Sequence, residues 1–402
     1  MRGSRSRRTR RPLPPGFGVI WTTVALDLIG FGILFPVLAR YARDAGASAP
    51  TAGLVVASFS IAQLVCSPLT GRLSDRLGRK PVIILSLVGT AIGSLLTGLA
   101  GPLWLLFGGR ILDGASGASV SVAQAAVTDV APEEERARLL GLLGAAFGAG
   151  FALGPAIGGI AALVSHRLPF FVAAAIAAVN AVAAVRRLPE TRPLHPEVDG
   201  VGSAAPVTRE GTGGAGLRRL VLVTFVSLVA FSGFEATFSL LTEARFHLSE
   251  SATYGVFFLI GVGLVLVQGG FIHPVVARLG EIATVRAGLA CNTIGLALVA
   301  ADAGWLTLAP ALVALVVGQG LAAPTLSSLV AGRSDHHRRG ANLGVQQAAG
   351  GLARSVGPAL AGILFGWSVP APYLAGAVLA GAALVLVPAP TEPEIARVSP
   401  AL

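Results

Sequence analysis

Charge is scarce in this chain. Asp, Glu, Lys and Arg make up 12% of its 402 residues, against 53% hydrophobic. A soluble globular domain carries about 25% charged residues, so a water-facing surface is excluded for most of the chain. The two cysteines, Cys66 and Cys291, both fall inside apolar runs and offer no disulfide framework. Lys80 is the single lysine and Pro81 follows it, so no GxxxxGK[ST] phosphate loop exists. Uphill work must then draw on an ion gradient or a separate subunit, and no cofactor is expected. The six histidines are scattered apart from His336 and His337, with no metal-ligand spacing. No His, Cys or carboxylate constellation has catalytic form, which sets enzymes aside.

What the chain has in abundance is apolar length. Mean hydropathy is +0.75, and about twelve apolar stretches follow one another, each long enough to cross the roughly 30 Å hydrocarbon layer. Glycine, at 52 residues, suits helices that pack closely within lipid. The expected fold is an all-α membrane protein with twelve transmembrane helices. The start, MRGSRSRRTRR, resembles the basic part of a signal peptide, but the apolar run after it is too long and lacks a cleavage site. It is read as a tail before a retained first helix.

The formal net charge of +10 raises nucleic-acid binding, and its placement argues against it. Of the 30 Lys and Arg residues, Arg40, Arg43, Arg167 and Arg245 lie on one side and Arg110, Arg286 and Arg354 within spans, leaving 23 on the side of both termini. That side is expected to be cytoplasmic. Trp104, Trp305 and Trp367 then fall at outer helix ends and Trp21 near an inner one. The expected divisions are a basic tail at 1–15, six-helix bundles at 16–186 and 218–388, a linker at 187–217 and a tail at 389–402.

The halves echo one another. Gly154–Pro155 recurs as Gly357–Pro358 and Gly141 as Gly344, both at an offset of 203. Arg76-Leu77-Gly78 recurs as Arg278-Leu279-Gly280 at an offset of 202. Parallel six-helix repeats are one transporter plan, with substrate held between them near the midplane.

Between spans two and three lies GRLSDRLGRKP, residues 71–81. Positive charge that fixes orientation accounts for Arg72, Arg76, Arg79 and Lys80, but not for Asp75 or for Gly71 and Gly78. The stretch resembles the GxxxDRxGRR loop of the major facilitator superfamily. LDLIGFG at 26–32, with Pro36, resembles the first-helix signature of its drug:proton antiporters. RILDGASG at 110–117 is similar to the fourth-helix RxxxGxxG motif, and GFALGPAIGG at 150–159 to the antiporter motif of helix five. The nearest subgroup is the twelve-helix antiporters that include tetracycline exporters. The resemblance implies a transporter with two six-helix pseudo-repeats, working as a monomer on a small-molecule substrate and protons in the cell membrane.

It also implies roles for residues. Asp75 with Arg76 and Arg79 would latch the cytoplasmic ends of the halves, Asp75 accepting from the exposed N–H groups that open helix eleven near Gly340. Asp129, Pro132, Glu133 and Arg136 match a DxxPxxxR pattern and would support that loop. Gly150, Gly154, Pro155, Gly158 and Gly159 allow close helix approach and a bend, and the resemblance links them to the direction of exchange. Tetracycline exporters carry acids in helices three and nine where this chain has Gly93 and Asn292, which counts against tetracycline itself.

Ionisable groups within the bilayer are expensive and need a reason. Asp27 lies about 15 Å into helix one and Arg110 about 11 Å into helix four, at roughly 1.5 Å per residue. The two can meet, but Asp113, three residues from Arg110, is a second candidate partner. Asp27 is the preferred proton carrier, its protonation switching with exposure. Glu235, among Phe231, Phe234 and Phe238, is a candidate for the substrate cavity or a group at the outer mouth. Gln268, Asn292 and Gln346 are further cavity candidates, and, with Gln124, equally candidates for interhelical bonds. Arg286 and Arg354 are expected to snorkel from cytoplasmic helix ends. Two rival functions stay open: a proton-coupled importer, and a membrane receptor or scaffold in which Asp27 does nothing.

Overall fold

The computed structural model describes residues 13–192, 215–301, 304–334 and 339–387. The expected tail at 389–402, His336 and His337, and most of the expected basic tail and linker lie outside them. The described residues form twelve helical segments. They are α1 (Phe17–Asp44), α2 (Ala49–Leu77), α3 (Arg79–Leu99), α4 (Leu103–Ser116 and Ser119–Val130), α5 (Glu133–Ala162) and α6 (Leu168–Arg187). The second half holds α7 (Ala215–Phe246), α8 (Glu250–Leu279), α9 (Glu281–Ala301), α10 (Trp305–Gly332), α11 (Arg339–Trp367) and α12 (Ala371–Leu386). Ten are long and apolar enough to cross a membrane unaided. The exceptions are α12, with 16 residues, and α4, which is broken.

Local chemistry sets several boundaries. The side chain of Ser48 caps α2 by accepting from Thr51 N, and Ser249 caps α8 through Ala252 N. The repeated Arg-Leu-Gly has a conformational cause: Gly78 ends α2 at φ 101° and Gly280 ends α8 at φ 79°. Both angles belong to the region that side chains avoid, so each half needs glycine there. Pro36 opens a 3₁₀ turn, Phe35–Val37, inside α1. Pro155 and Pro358 lie inside helices that run on through them.

Small residues set the packing. Within the first half, Gly150 and Gly154 of α5 press on Leu28 and Gly32 of α1. Within the second, Gly357 of α11 presses on Val229 and Ser232 of α7. Between the halves, Gly53 of α2 meets Pro358 and Gly362 of α11, while Gly158 and Gly159 of α5 carry the ring of Tyr254 from α8. A further contact follows from Pro155, which has no N–H to offer the Phe151 carbonyl four residues earlier. That oxygen lies against Gly261 of α8, where any Cβ would strike it.

Among the described residues, the hydrogen bonds and ion pair that join the halves gather at one end. On the side of Arg40, Tyr254 Oη donates to the Ile33 carbonyl at 2.8 Å, and Arg40 reaches Glu243 at 3.5 Å and the Leu248 carbonyl at 2.7 Å. Ala236 and Leu240 of α7 join the core built by Ile33, Leu38 and Val55 there. Toward the Asp75 end, glycines of the same α5 and α11 stripes lack such contacts. A Cβ at Gly141, Gly144, Gly340 or Gly344 would meet nothing within 4 Å. The described residues therefore join the two halves at the Arg40 end and leave open space beside these glycines toward the Asp75 end.

Candidate functional site

Asp27 sits in the middle of α1 and is half-buried. Its carboxylate accepts a hydrogen bond from Ser119 Oγ. Ser119 opens the second half of α4, immediately after a break at Gly117 and Ala118. Gln63 Nε2 of α2 donates to the Gly117 carbonyl at 2.7 Å, satisfying an acceptor at the break. Apolar length alone does not mark this break, and neither Ser119 nor Gln63 belongs to the motifs singled out above. The small-residue run GASGAS was the available signal.

Arg110 does not join Asp27. Its Nη1 donates to Asp113 Oδ2 at 2.7 Å, one turn along the same helix, and both side chains are buried. Spacing decides this outcome, because a partner three residues away needs no interhelical approach. The Arg110 guanidinium also lies 4.7 Å from the centre of the Phe59 ring, a cation–π contact in a dry setting. Its Nε has no partner among the described residues. Thr90 of α3 donates to Asp113 from the other side. Gly93, where the resembling exporters have an acid, packs on Gly109 and Asp113 and lets α3 and α4 touch.

At the Asp75 loop, Arg79 is the hub. It bonds Asp75 Oδ1 at 2.6 Å, Ser74 Oγ at 2.6 Å and Asp129 Oδ2 at 3.0 Å. The expected bond from Asp75 to the start of α11 is not formed; the Asp75 side chain is 64% exposed and held by Arg79 alone among the described residues. Arg136 is exposed, and Gly71 faces open space. Glu190, after α6, escaped the sequence reading. Its carboxylate accepts the N–H groups of Arg79 at 2.9 Å and Lys80 at 3.1 Å, capping α3, while Arg192 Nη1 donates to the Arg76 carbonyl at 2.7 Å. Partial burial pushes the Glu190 carboxyl up, but backbone N–H groups of Arg192, Arg79, Lys80 and Thr191 outweigh it and hold it below the usual range.

In the second half, α7, α10 and α11 line an open cavity of about 210 Å³. Gln346 lines it and donates to Thr224 Oγ1 at 3.2 Å. Asn292 is buried behind the wall, its Nδ2 3.5 Å from Oε1 of the lining residue Gln319. Arg354 also lines the cavity, and Glu235 acts on it electrostatically. This corrects the snorkelling expectation for Arg354, which lies midway along α11, far from either end. Arg286 does lie near the Asp75 end of α9, its Nη1 3.4 Å from the Val387 carbonyl. Phe234 and Phe238 are corrected as well. One turn apart, they share a face of α7 that packs on Tyr373 and Phe257 in the core, away from the cavity. Gln268 is exposed on a π-helical turn, Val267–Phe271, and does not line this cavity.

Comparison with known proteins agrees with this architecture. The sequence matches the family described as Major Facilitator Superfamily over residues 20–301 and 270–401. It is 32% identical over 294 residues to the class C tetracycline resistance protein of Escherichia coli, covering 72% of this chain and 74% of that one. It is 29% identical over 367 residues to multidrug resistance protein 2 of Bacillus subtilis (strain 168), covering 89% and 90%. The crystal structure of the human organic anion transporter MFSD10 matches with a TM-score of 0.70 at 28% identity, covering 94% of this chain and 100% of that one.

Proposed function

The chain belongs to the Major Facilitator Superfamily, and from that premise we propose that it is a proton-coupled antiporter exporting a small amphipathic compound. It is a multi-pass membrane transporter and not an enzyme. Its relatives include tetracycline and multidrug resistance proteins, which supports outward movement of drug-like molecules. In this reading the protein is a monomer in the cell membrane with both termini in the cytoplasm. The lobes at 16–186 and 218–388 rock about the midplane, and the Asp75 end is the cytoplasmic one.

Asp27 is the proton carrier. The observation that supports it is placement: a half-buried carboxylate at mid-helix, bonded to a neutral hydroxyl from Ser119 rather than neutralised by Arg110. A carboxylate locked to a guanidinium holds its charge, whereas one on a hydroxyl can change protonation as its surroundings open and close. Arg110 and Asp113 form the structural pair beside it, and the glycines of α5 with the Asp75–Arg79–Asp129 cluster govern which end opens. The test is transport by protein reconstituted in vesicles under an imposed pH gradient. Asp27→Asn is expected to abolish gradient-driven accumulation while the protein still folds; undiminished coupling in that variant rules out the assignment.

A further inference from the structure

Halfway along α11, the guanidinium of Arg354 borders the open cavity of about 210 Å³ lined by α7, α10 and α11. The residue is exposed on the cavity side, and a cation midway along a membrane helix is met there by water, a counter-charge or a ligand. Arg110 shows the first solution, with Asp113 at 2.7 Å. Arg354 differs. Glu235 acts on it through space but makes no ion-pair contact, and no described residue accepts a hydrogen bond from it.

The rest of the wall suits the same visitor. Gln319, Gln346 and Gln347 bring neutral amide donors, while the Ser227 and Ser327 hydroxyls donate to the Thr224 and Ala323 carbonyls of their own helices. No Asp or Glu is among the lining residues, and Leu228, Ala322, Ala323 and Leu326 give an apolar side. A planar guanidinium matches a carboxylate or sulfonate in a two-point contact and repels a cation. Sites that hold a whole drug-sized ligand run to roughly 300–1,000 Å³. This smaller volume fits a headgroup, with an apolar remainder extending between the halves.

We infer that this cavity is the subsite for the anionic end of an amphipathic organic acid, gripped by Arg354 and the neighbouring glutamine amides. Arrival of the ligand's carboxylate replaces the distant influence of Glu235 with direct contact. The inference rests on the transporter reading above, though not on its proton coupling.

Three probes of one shape test it: 2-naphthoate, 2-naphthamide and 2-naphthylmethylammonium, titrated by calorimetry into the full chain in lipid nanodiscs without any gradient. Charge-assisted hydrogen bonds predict binding of 2-naphthoate at least about tenfold tighter than either analogue. Arg354→Gln is expected to bring 2-naphthoate to the level of the amide, with a melting curve as the check on folding. Arg354→Lys, which keeps the charge but loses the fork, is expected to retain part of the preference and serves if the Gln variant is unstable. Glu235→Gln, which removes the competing carboxylate, is expected to tighten 2-naphthoate several-fold. Equal affinity for the three probes, a preference for the ammonium, no binding by any, or a preference unchanged by both Arg354 variants would overturn the subsite. No gradient is present, so failure here is separate from failure of Asp27→Asn in the transport assay.

Discussion

Tyr254 of α8 donates its phenolic proton to the Ile33 carbonyl of α1 at 2.8 Å, tying the two halves together at the Arg40 end. The ring itself is fully buried against Gly158 and Gly159. For the other end to close and this one to open, that bond must break and the ring must leave its seat.

Tyr254→Phe keeps the ring and removes the bond. Loss of a buried neutral hydrogen bond is worth about 1 kcal/mol, roughly a fivefold change in population. Spin labels at the exposed positions Asp44 and Ala244, in a Cys66→Ser, Cys291→Ser background, are expected to report a larger fraction of long distances. A distance distribution identical to that of the parent would show that the bond does not bias the equilibrium.

Gly154 and Gly144 lie ten residues apart on α5 and are predicted to behave differently. A Cβ at Gly154 would run into the backbone of Gly32, whereas one at Gly144 meets nothing within 4 Å. Gly154→Val therefore forces α1 and α5 apart at a cost of about 1–3 kcal/mol or more. Thermal denaturation followed by size-exclusion chromatography is expected to show a clear loss for Gly154→Val and none for Gly144→Ala.

Glu190 gives the Asp75 loop an acid-sensitive support. Its carboxyl is held below the usual range in the fold, so its contribution is complete above the unfolded-state value of about 4.3 and falls away at lower pH. Because the group is exposed, the helix-cap contribution is about 0.5–1 kcal/mol. Glu190→Ala should lower the melting temperature slightly at neutral pH. The difference from the parent should narrow as acid titrates the parent's own carboxylate. A difference that does not change with pH would count against this account.

The pattern of charge and apolar length was legible because the bilayer is an unforgiving solvent. Twelve runs, the division into halves and the glycine motifs could all be read without coordinates. The repeated Arg-Leu-Gly was visible as a coincidence, and the positive φ angles of Gly78 and Gly280 supply its cause. What escaped was rotation about helix axes and interruption within them. Phe234 and Glu235 are neighbours in sequence, yet one turns into the core and the other toward Arg354. The break in α4 left no proline to announce it; only bonds made in three dimensions, by Gln63 and Ser119, mark where it falls. Glu190 was hidden for a similar reason. Its partners lie 110 and 111 positions away in the chain.

Pro155 gives the sealed seam one more property. The Phe151 oxygen, deprived of its helical donor, is shielded only as long as Gly261 stays pressed against it. Hydrocarbon tails have no hydrogen to offer a bare carbonyl, and leaving one unsatisfied in lipid costs several kcal/mol. A dry separation of α5 from α8 is thereby disfavoured. The seam is therefore expected to take up water as it parts.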